Sequence, residues 1–261
     1  DDKSRFIHIY LLTHKSDAID HIQDYDRKIL NKTGKHMQIL QSDGGTGGEF
    51  FSNDMAEYCR MNGIHQRSST SYTPEQNGRA ERANRTVLNG IRCLLSDSKL
   101  GLEYWGFAAL TAVYLKNRSP HTALHKSTPY QEWFGIKPNL SHLRVFGNHC
   151  WYTIPEKVRK RQGKGHKIRR NGRRMIHIGY SDKYKAWRLY DPKTKEVIVS
   201  NNVTWESEII NLNGETSVDF FDILDFKESN EEPEEPQESD LQGELYNTDI
   251  VNIDTVNHTP S

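Results

Sequence analysis

Charge is segregated along this 261-residue chain so strongly that it divides the chain before any motif is read. Residues 208–261 hold fifteen acidic residues and one basic residue, Lys227, while residues 1–207 hold thirty-four Lys and Arg against twenty Asp and Glu. The formal charge of zero therefore hides +14 on one part and −14 on the other. A segment such as ESNEEPEEPQESD, from Glu228 to Asp240, cannot bury enough apolar surface to offset its ordering entropy, so the tail is expected to be disordered. The basic body is the part expected to fold, and its charge steers it toward polyanions.

With 34% hydrophobic residues and a mean hydropathy of −0.82, the body is expected to bury one modest core or two small ones. No stretch approaches the roughly 18 apolar residues of a membrane span and no secretory leader opens the chain, so a soluble, intracellular protein without membrane contact is expected. Cys59, Cys93 and Cys150 are too few and too far apart for a disulfide framework or a CxxC zinc site, and buried free thiols are expected.

Periodicity then supplies the elements. Phe6–Leu12 (FIHIYLL) has the composition of a strand. Ser16 is expected to cap an amphipathic helix with Ala18, Ile19, Ile22, Tyr25 and Ile29 on one face and Gly34 at its end, and residues 36–40 alternate into a strand that delivers Asp43. This β-α-β order predicts an α/β domain. Asn53 is expected to cap a short helix through Met61, Gly63 to stop it, and Ile64 to begin another brief strand. After Pro74, the positions Ala80, Ala83, Val87, Ile91 and Leu94 step by three and four and predict a long helix with one apolar face. A further helix is predicted over 104–116, ended by Pro120, with Trp133 and Phe134 packing in the connection beyond. From Val145 the period shortens, and CWYTIP, RMIHIGY, AWRLYDP and EVIVSNNVTW predict a small barrel or curled sheet. Trp187, Tyr190 and Trp205 fit the core of that sheet better than a base-stacking platform.

Two carboxylates stand out. Asp43 falls at the end of a strand, and Glu81 lies within the long helix, inside YTPEQNGRAERANRT from Tyr72 to Thr86. Hard divalent cations take carboxylate oxygens, and paired metals serve in-line attack on a phosphodiester. Taken singly, Asp43 also suits a turn beside Gly44 and Gly45, and Glu81 also suits an ordinary i,i+4 pair with Arg85. The surroundings favour the chemistry, because Asn77, Gly78, Arg79, Arg82, Asn84, Arg85, Asn89 and Arg92 crowd around Glu81. Arg85, Asn89 and Arg92 form a stripe opposite the apolar face that suits phosphates. A second basic feature is the run of ten Lys and Arg comprising Lys157, Arg159, Lys160, Arg161, Lys164, Lys167, Arg169, Arg170, Arg173 and Arg174. Such a run predicts salt-sensitive, sequence-independent DNA binding. His65, His125, His142 and His149 show no metal-ligand spacing.

Several of these segments in order resemble the integrase of copia-type long-terminal-repeat retrotransposons, within the DDE transposase and retroviral integrase superfamily. They are DDKSRF at Asp1, SDGG at Ser42, YTPEQNGRAERANRT at Tyr72, LTAVYLKNRSP at Leu110, TPYQEWFGIKPNLSHLRVFG at Thr128 and GYSDKYKAWRLYDPKTKEVIVSNNVTW at Gly179. The resemblance spans residues 1 to about 207. It implies an α/β fold with a ribonuclease H-like catalytic core over 1–120, a connector over 121–144, an SH3-like β module over 145–207 and the acidic tail over 208–261. It implies that Asp43 and Glu81 are the second and third metal-binding, catalytic acids, with Mg²⁺ as the metal and Mn²⁺ as a substitute. Element ends and target DNA would be the partners, within a homo-multimer. Cytoplasmic virus-like particles and the nucleus would be the setting, and the tail could engage a chromatin partner.

In that family the first acid lies on a strand N-terminal to DDKSRF, so the chain is expected to be truncated at its start and impaired in catalysis. Asp1 and Asp2 match a turn rather than that acid, and the family's His and Cys zinc module is also missing. SDGGTGGEF carries two residues more than the family's SDNGGEF, which lengthens a Gly-rich loop, and Glu49 is given no metal role. The alternatives are a noncatalytic DNA-binding relic or co-opted element protein, and a ribonuclease H-type nuclease, which the β module and basic run fit less well.

Overall fold

The computed structural model describes residues 1–42, 52–68, 74–156, 160, 172–181 and 183–206, with side chains from residue 78 onward in the helix that starts at Pro74. The expectation of a disordered tail over 208–261 falls outside the described residues. The elements in chain order are α1 (Ala18–Thr33), β1 (Ile39–Ser42), α2 (Asn53–Met61), β2 (His65–Ser68), α3 (Pro74–Ser98), α4 (Trp105–Arg118) and α5 (Pro129–Phe134), followed by β3 (His149–Thr153), β4 (Gly172–Tyr180), β5 (Trp187–Tyr190), β6 (Val197–Ser200) and β7 (Val203–Trp205).

The helical half is organised by one parallel strand pair. β1 and β2 pair from Ile39 opposite His65 to Ser42 opposite Ser68, and α2 makes the crossover that parallel neighbours need. The β-α-β unit is therefore β1-α2-β2 rather than the one predicted around residues 6–40. Among the described residues Phe6–Leu12 pairs with no strand. Ile7 instead donates its N–H to Asn117 Oδ1 at 2.9 Å and accepts from Asn117 Nδ2 at 2.8 Å, so one side-chain amide on α4 takes both backbone groups that a neighbouring strand would use. The segment is held by packing as well, with Ile7 and Ile9 against α3 and α4 and Tyr10 against α1 and α2.

Local signals were shifted by a residue or two. Ser52 rather than Asn53 caps α2, its Oγ accepting from the Met55 N–H at 3.3 Å, because an N-cap residue sits outside the helix with extended backbone. Lys15–Asp17 form a 3₁₀ turn in place of a Ser16 cap, and α1 starts at Ala18. Gly34 closes α1 at φ +73°, where a residue without Cβ is favoured. α4 continues past Lys116 to Arg118.

Asp26 explains how α1, the turn before β1 and α2 are tied together. Its carboxylate is fully buried and accepts from the Met37 N–H at 2.8 Å and the Tyr58 hydroxyl at 2.8 Å, with His36 Nδ1 at 2.6 Å. A buried carboxylate is tolerated only with such partners. Burial and the hydrogen bond to Asp26 push the Tyr58 hydroxyl far above its ordinary range, so it stays a donor. Around this network Ile22, Tyr25, Ile29, Met37, Leu40, Met55, Cys59 and Ile64 close one core.

The second half is a five-stranded antiparallel sheet ordered β6-β5-β4-β3-β7. Cys150, Met175, Leu189 and Trp205 fill its own core, with Trp187 packed against it, and Trp205 is 1% exposed. A third cluster joins the halves: Val87, Ile91 and Leu95 of α3, Ala108, Ala109, Ala112 and Val113 of α4, and Phe146 and Ile178 from the sheet half. Burying side chains such as Val87, Ile91 and Ile178 contributes roughly 1.5–3 kcal/mol each. At the same seam Gly179 adopts φ +130°, and a Cβ there would lie 2.7 Å from Thr111 Oγ1. Glycine is required by both backbone and space. Of the three cysteines, Cys59 and Cys150 are buried and Cys93 is exposed, because its place on α3 falls outside the apolar stripe.

Candidate functional site

α3 positions Glu81 by periodicity alone. Ala80, Val87, Ile91 and Leu95 face inward, which turns Glu81, Arg85, Leu88 and Arg92 outward at steps of four, three and four. Arg82 and Asn89 flank this stripe and are also exposed, and Asn89 Oδ1 accepts from Arg92 at 3.3 Å. Leu88, 42% exposed, was not singled out from the sequence, although the helical step from Glu81 places it there. Asn84 points the other way, into a narrow apolar cleft lined by Ile7, His8, Ile9, Ala83, Val87 and Val113. That cleft lies on the core side of α3, away from Glu81. Burial, reinforced by the N-terminal ammonium, Lys28 and Lys32, lowers His8 there to about 3 and keeps it neutral.

Arg79, at the start of α3, is anchored. Its guanidinium donates to Asp2 Oδ1, which also accepts from Arg5 at 2.8 Å. Asp2 is therefore a tie for the helix start, a role with no signal in the sequence. Among the described residues Glu81, Arg82 and Arg85 make no ion pair, so the carboxylate and two guanidiniums face outward. A hard cation takes oxygen donors, and Glu81 suits one position of such a set. β1 ends at Ser42, one residue before Asp43. Asp43 itself, Glu49, the Asn77 side chain, Lys157, Arg159, Arg161, Lys164, Lys167, Arg169 and Arg170 lie outside the described residues. Among the described residues no group of three or more His, Cys, Asp or Glu could hold a metal ion.

The described members of the second basic feature have a different environment. Arg174 donates from Nε to Glu206 Oε1 at 2.7 Å and from Nη2 to Oε2 at 3.1 Å, a two-point pair across 32 residues of sequence. The pair raises the Arg174 guanidinium and lowers the Glu206 carboxyl from their ordinary values, each through its hydrogen bond to the other. Arg173 lies 3.4 Å from Glu196 and 3.8 Å from the buried Asp191. Lys160 pairs with Glu156 at 2.8 Å. Sequence reasoning assigned these three residues to DNA. The fold gives each a carboxylate partner, and for Arg173 and Arg174 no sequence spacing announces it.

Residues 149–218 match the family model for the retroviral polymerase SH3-like domain, a span that starts at β3 and contains the whole sheet. Over 210 residues the chain is 36% identical to the retrovirus-related Pol polyprotein from transposon TNT 1-94 of Nicotiana tabacum, covering 80% of this chain and 15% of that polyprotein. Over 206 residues it is 31% identical to the corresponding polyprotein from transposon RE1 of Arabidopsis thaliana, covering 79% and 13%. The chain thus spans about one seventh of the length of these relatives. Among solved structures, a chain from the simian T-cell lymphotropic virus intasome in complex with PP2A regulatory subunit B56 gamma aligns at a TM-score of 0.37 and 16% identity, over 74% of this chain and 65% of that one. Among the described residues no helix is long and apolar enough to cross a membrane.

Proposed function

This chain belongs to the retrovirus-related transposon Pol polyproteins, copia-type elements among them, and on that premise we propose that it is their integrase region, acting on DNA phosphodiesters. The observation that carries the reading is the outward stripe of α3, where an exposed carboxylate at Glu81 shares one face with Arg85 and Arg92 while the opposite face is buried.

Asp43 and Glu81 would hold Mg²⁺, or Mn²⁺ in its place, as catalytic acids on a ribonuclease H-like core. When bound, the metal would neutralise charge on the phosphate and favour the ionised form of the attacking hydroxyl. Arg82, Arg85, Arg92 and Asn77 would bind and orient the DNA backbone, with the basic run from Lys157 to Arg174 extending the contact. Residues 1–120 would form the core, 121–144 the connector and 145–207 the β module, with 208–261 as an appended acidic segment. Packing of Phe146 and Ile178 against α3 and α4 supports a fixed relation between core and module. The substrates would be element ends and target DNA, bound by a homo-multimer that passes from cytoplasmic virus-like particles to the nucleus. The tail would be free to engage chromatin.

The 261-residue polypeptide supplies two of the three acids that such chemistry uses, so by itself it should bind DNA and join strands poorly. The test is Mg²⁺-dependent joining by the polypeptide alone and by a version extended upstream to include the strand with the first Asp. The extended version should join strands, and Glu81→Gln or Asp43→Asn should abolish it. Joining that survives both substitutions overturns the assignment. A second reading, a noncatalytic DNA-binding relic or co-opted protein, is favoured by the two extra residues in SDGGTGGEF. It would be upheld if the extended version bound DNA but never joined it.

A further inference from the structure

The sheet order β6-β5-β4-β3-β7 leaves β6 and β7 at the edges, and an edge strand presents backbone N–H and C=O groups that can pair with another strand. β7 is guarded, because it is three residues long and the charged Glu206–Arg174 pair follows directly on it. β6 carries no such guard. Its four residues, Val197–Ser200, include no charge and no proline, and among the described residues only β5 pairs with them. Val197 and Val199 are 43% and 45% exposed, while Ile198 between them packs against the sheet core. The valines end a row that begins under the helices. Val197 lies opposite Tyr190 and Tyr190 opposite Ile176, and both of those pack on the cluster that α3 and α4 form with the sheet.

We propose that β6 is a self-association edge, covered by a second copy of this chain through antiparallel pairing of β6 with its counterpart. The proposal gives the homo-multimer of the integrase reading an interface, and it rests on that reading only for its purpose. The strand's own pattern selects this occupant. A twofold axis through Ile198, perpendicular to the sheet, keeps the faces of the two sheets aligned and sets Val197 opposite the partner's Val199, twice over. In that register Ile198 meets its own copy, Glu196 falls opposite Ser200 and Lys195 opposite Asn201, so no like charges are opposed. The formal charge of the whole chain is zero, so two copies meet without net repulsion. A polyanion finds no cation on Val197–Ser200, whereas a matching strand finds both hydrogen-bonding groups and apolar side chains. So short an edge buries less than a standard interface, and the dimer is expected to be weak, with a Kd on the order of 10 µM.

The experiment uses the full-length chain without DNA, in salt that screens contacts between its basic and acidic parts. Sedimentation velocity at concentrations about tenfold either side of that Kd should show a monomer passing to a dimer. Val199→Lys, at an exposed position, should leave circular dichroism and melting unchanged and weaken the dimer by about tenfold or more. A second measurement reads the register. In a Cys93→Ser background, where the remaining cysteines are buried, Val197→Cys and Val199→Cys chains oxidised together should give a mixed disulfide dimer in several-fold excess over either chain oxidised alone. A chain that stays monomeric, or one that dimerises with no preference for the mixed disulfide, overturns the proposal. Dimerisation through β6 by a chain that never binds DNA sinks the integrase reading and leaves this contact standing, and DNA binding by a strictly monomeric chain does the reverse.

Discussion

The outward face of α3 and the start of β4 both present arginines, yet the fold treats them differently. On α3, Arg82 and Arg85 lie beside Glu81 without an ion pair among the described residues, and the helix backbone fixes their spacing. At β4, Arg173 and Arg174 are clasped by Asp191 and Glu196 from the turn between β5 and β6 and by Glu206 just after β7. A guanidinium already paired must exchange one anion for another to bind phosphate, so it gains less than an unpaired one. Basic residues counted along a sequence therefore overstate a nucleic-acid site wherever a sheet can bring acids to them.

The sharpest attempt to break this contrast compares two double substitutions. Arg85→Ala with Arg92→Ala should weaken DNA binding about 30- to 100-fold at low salt and reduce the slope of log affinity against log salt by about 2. Arg173→Ala with Arg174→Ala should cost less than about fivefold. Equal losses in an anisotropy titration would erase the distinction between the two surfaces.

The seam between the regions is the next place to press. Gly179→Ala must relieve both φ +130° and the approach to Thr111 Oγ1, which should destabilise the protein by about 2 kcal/mol or more in urea denaturation. If the two arginine surfaces act as one platform, DNA affinity should also fall in the fraction that remains folded. A variant of wild-type stability would mean that the sheet can slide on α4 at little cost.

Much of this arrangement was legible in the sequence, and the boundary of legibility has a physical basis. The inward face of α3 follows from steps of three and four, and the sheet strands follow from alternation between turn signals, because both are properties of neighbouring residues. The outward stripe of Arg85, Asn89 and Arg92 was readable for the same reason, and the structure centres it on Glu81, Arg85 and Arg92 with Asn89 at its flank. Phe6–Leu12 was misjudged because its composition reports a preference for extended backbone, while strandhood needs a partner, and Asn117, 110 residues away, takes that place. The Asp26 network and the Arg174–Glu206 pair were invisible because they join residues 10 to 32 apart that only tertiary packing brings together.

A pH measurement sharpens the seam further. His177 on β4 is fully buried, packs edge-to-face with Tyr180 and Trp205, and has Nδ1 3.0 Å from the Val145 carbonyl. Burial lowers it to about 4, against 6.5 in the unfolded chain. Between those values the unfolded chain binds the proton and the folded chain does not, so this group's contribution to stability is full above pH 6.5 and declines as pH falls toward 4. The loss between pH 7 and pH 5 should be about 1–2 kcal/mol. His177→Gln should flatten that part of the stability profile, and an unchanged slope would assign it to other groups, His8 first.

The smallest expected effect is the most discriminating between exposure and availability. Arg174 is more than half exposed, so by accessibility alone its removal should weaken DNA binding as much as removal of Arg85. In the paired reading Arg174→Gln takes away one phosphate contact and at the same time frees Glu206 from the surface, two changes of opposite sign. DNA affinity should then move by less than about twofold, and its salt slope should stay within measurement error of the wild-type chain. A tenfold loss would show that DNA takes Arg174 from Glu206 outright, and the start of β4 would then count as equal to the face of α3.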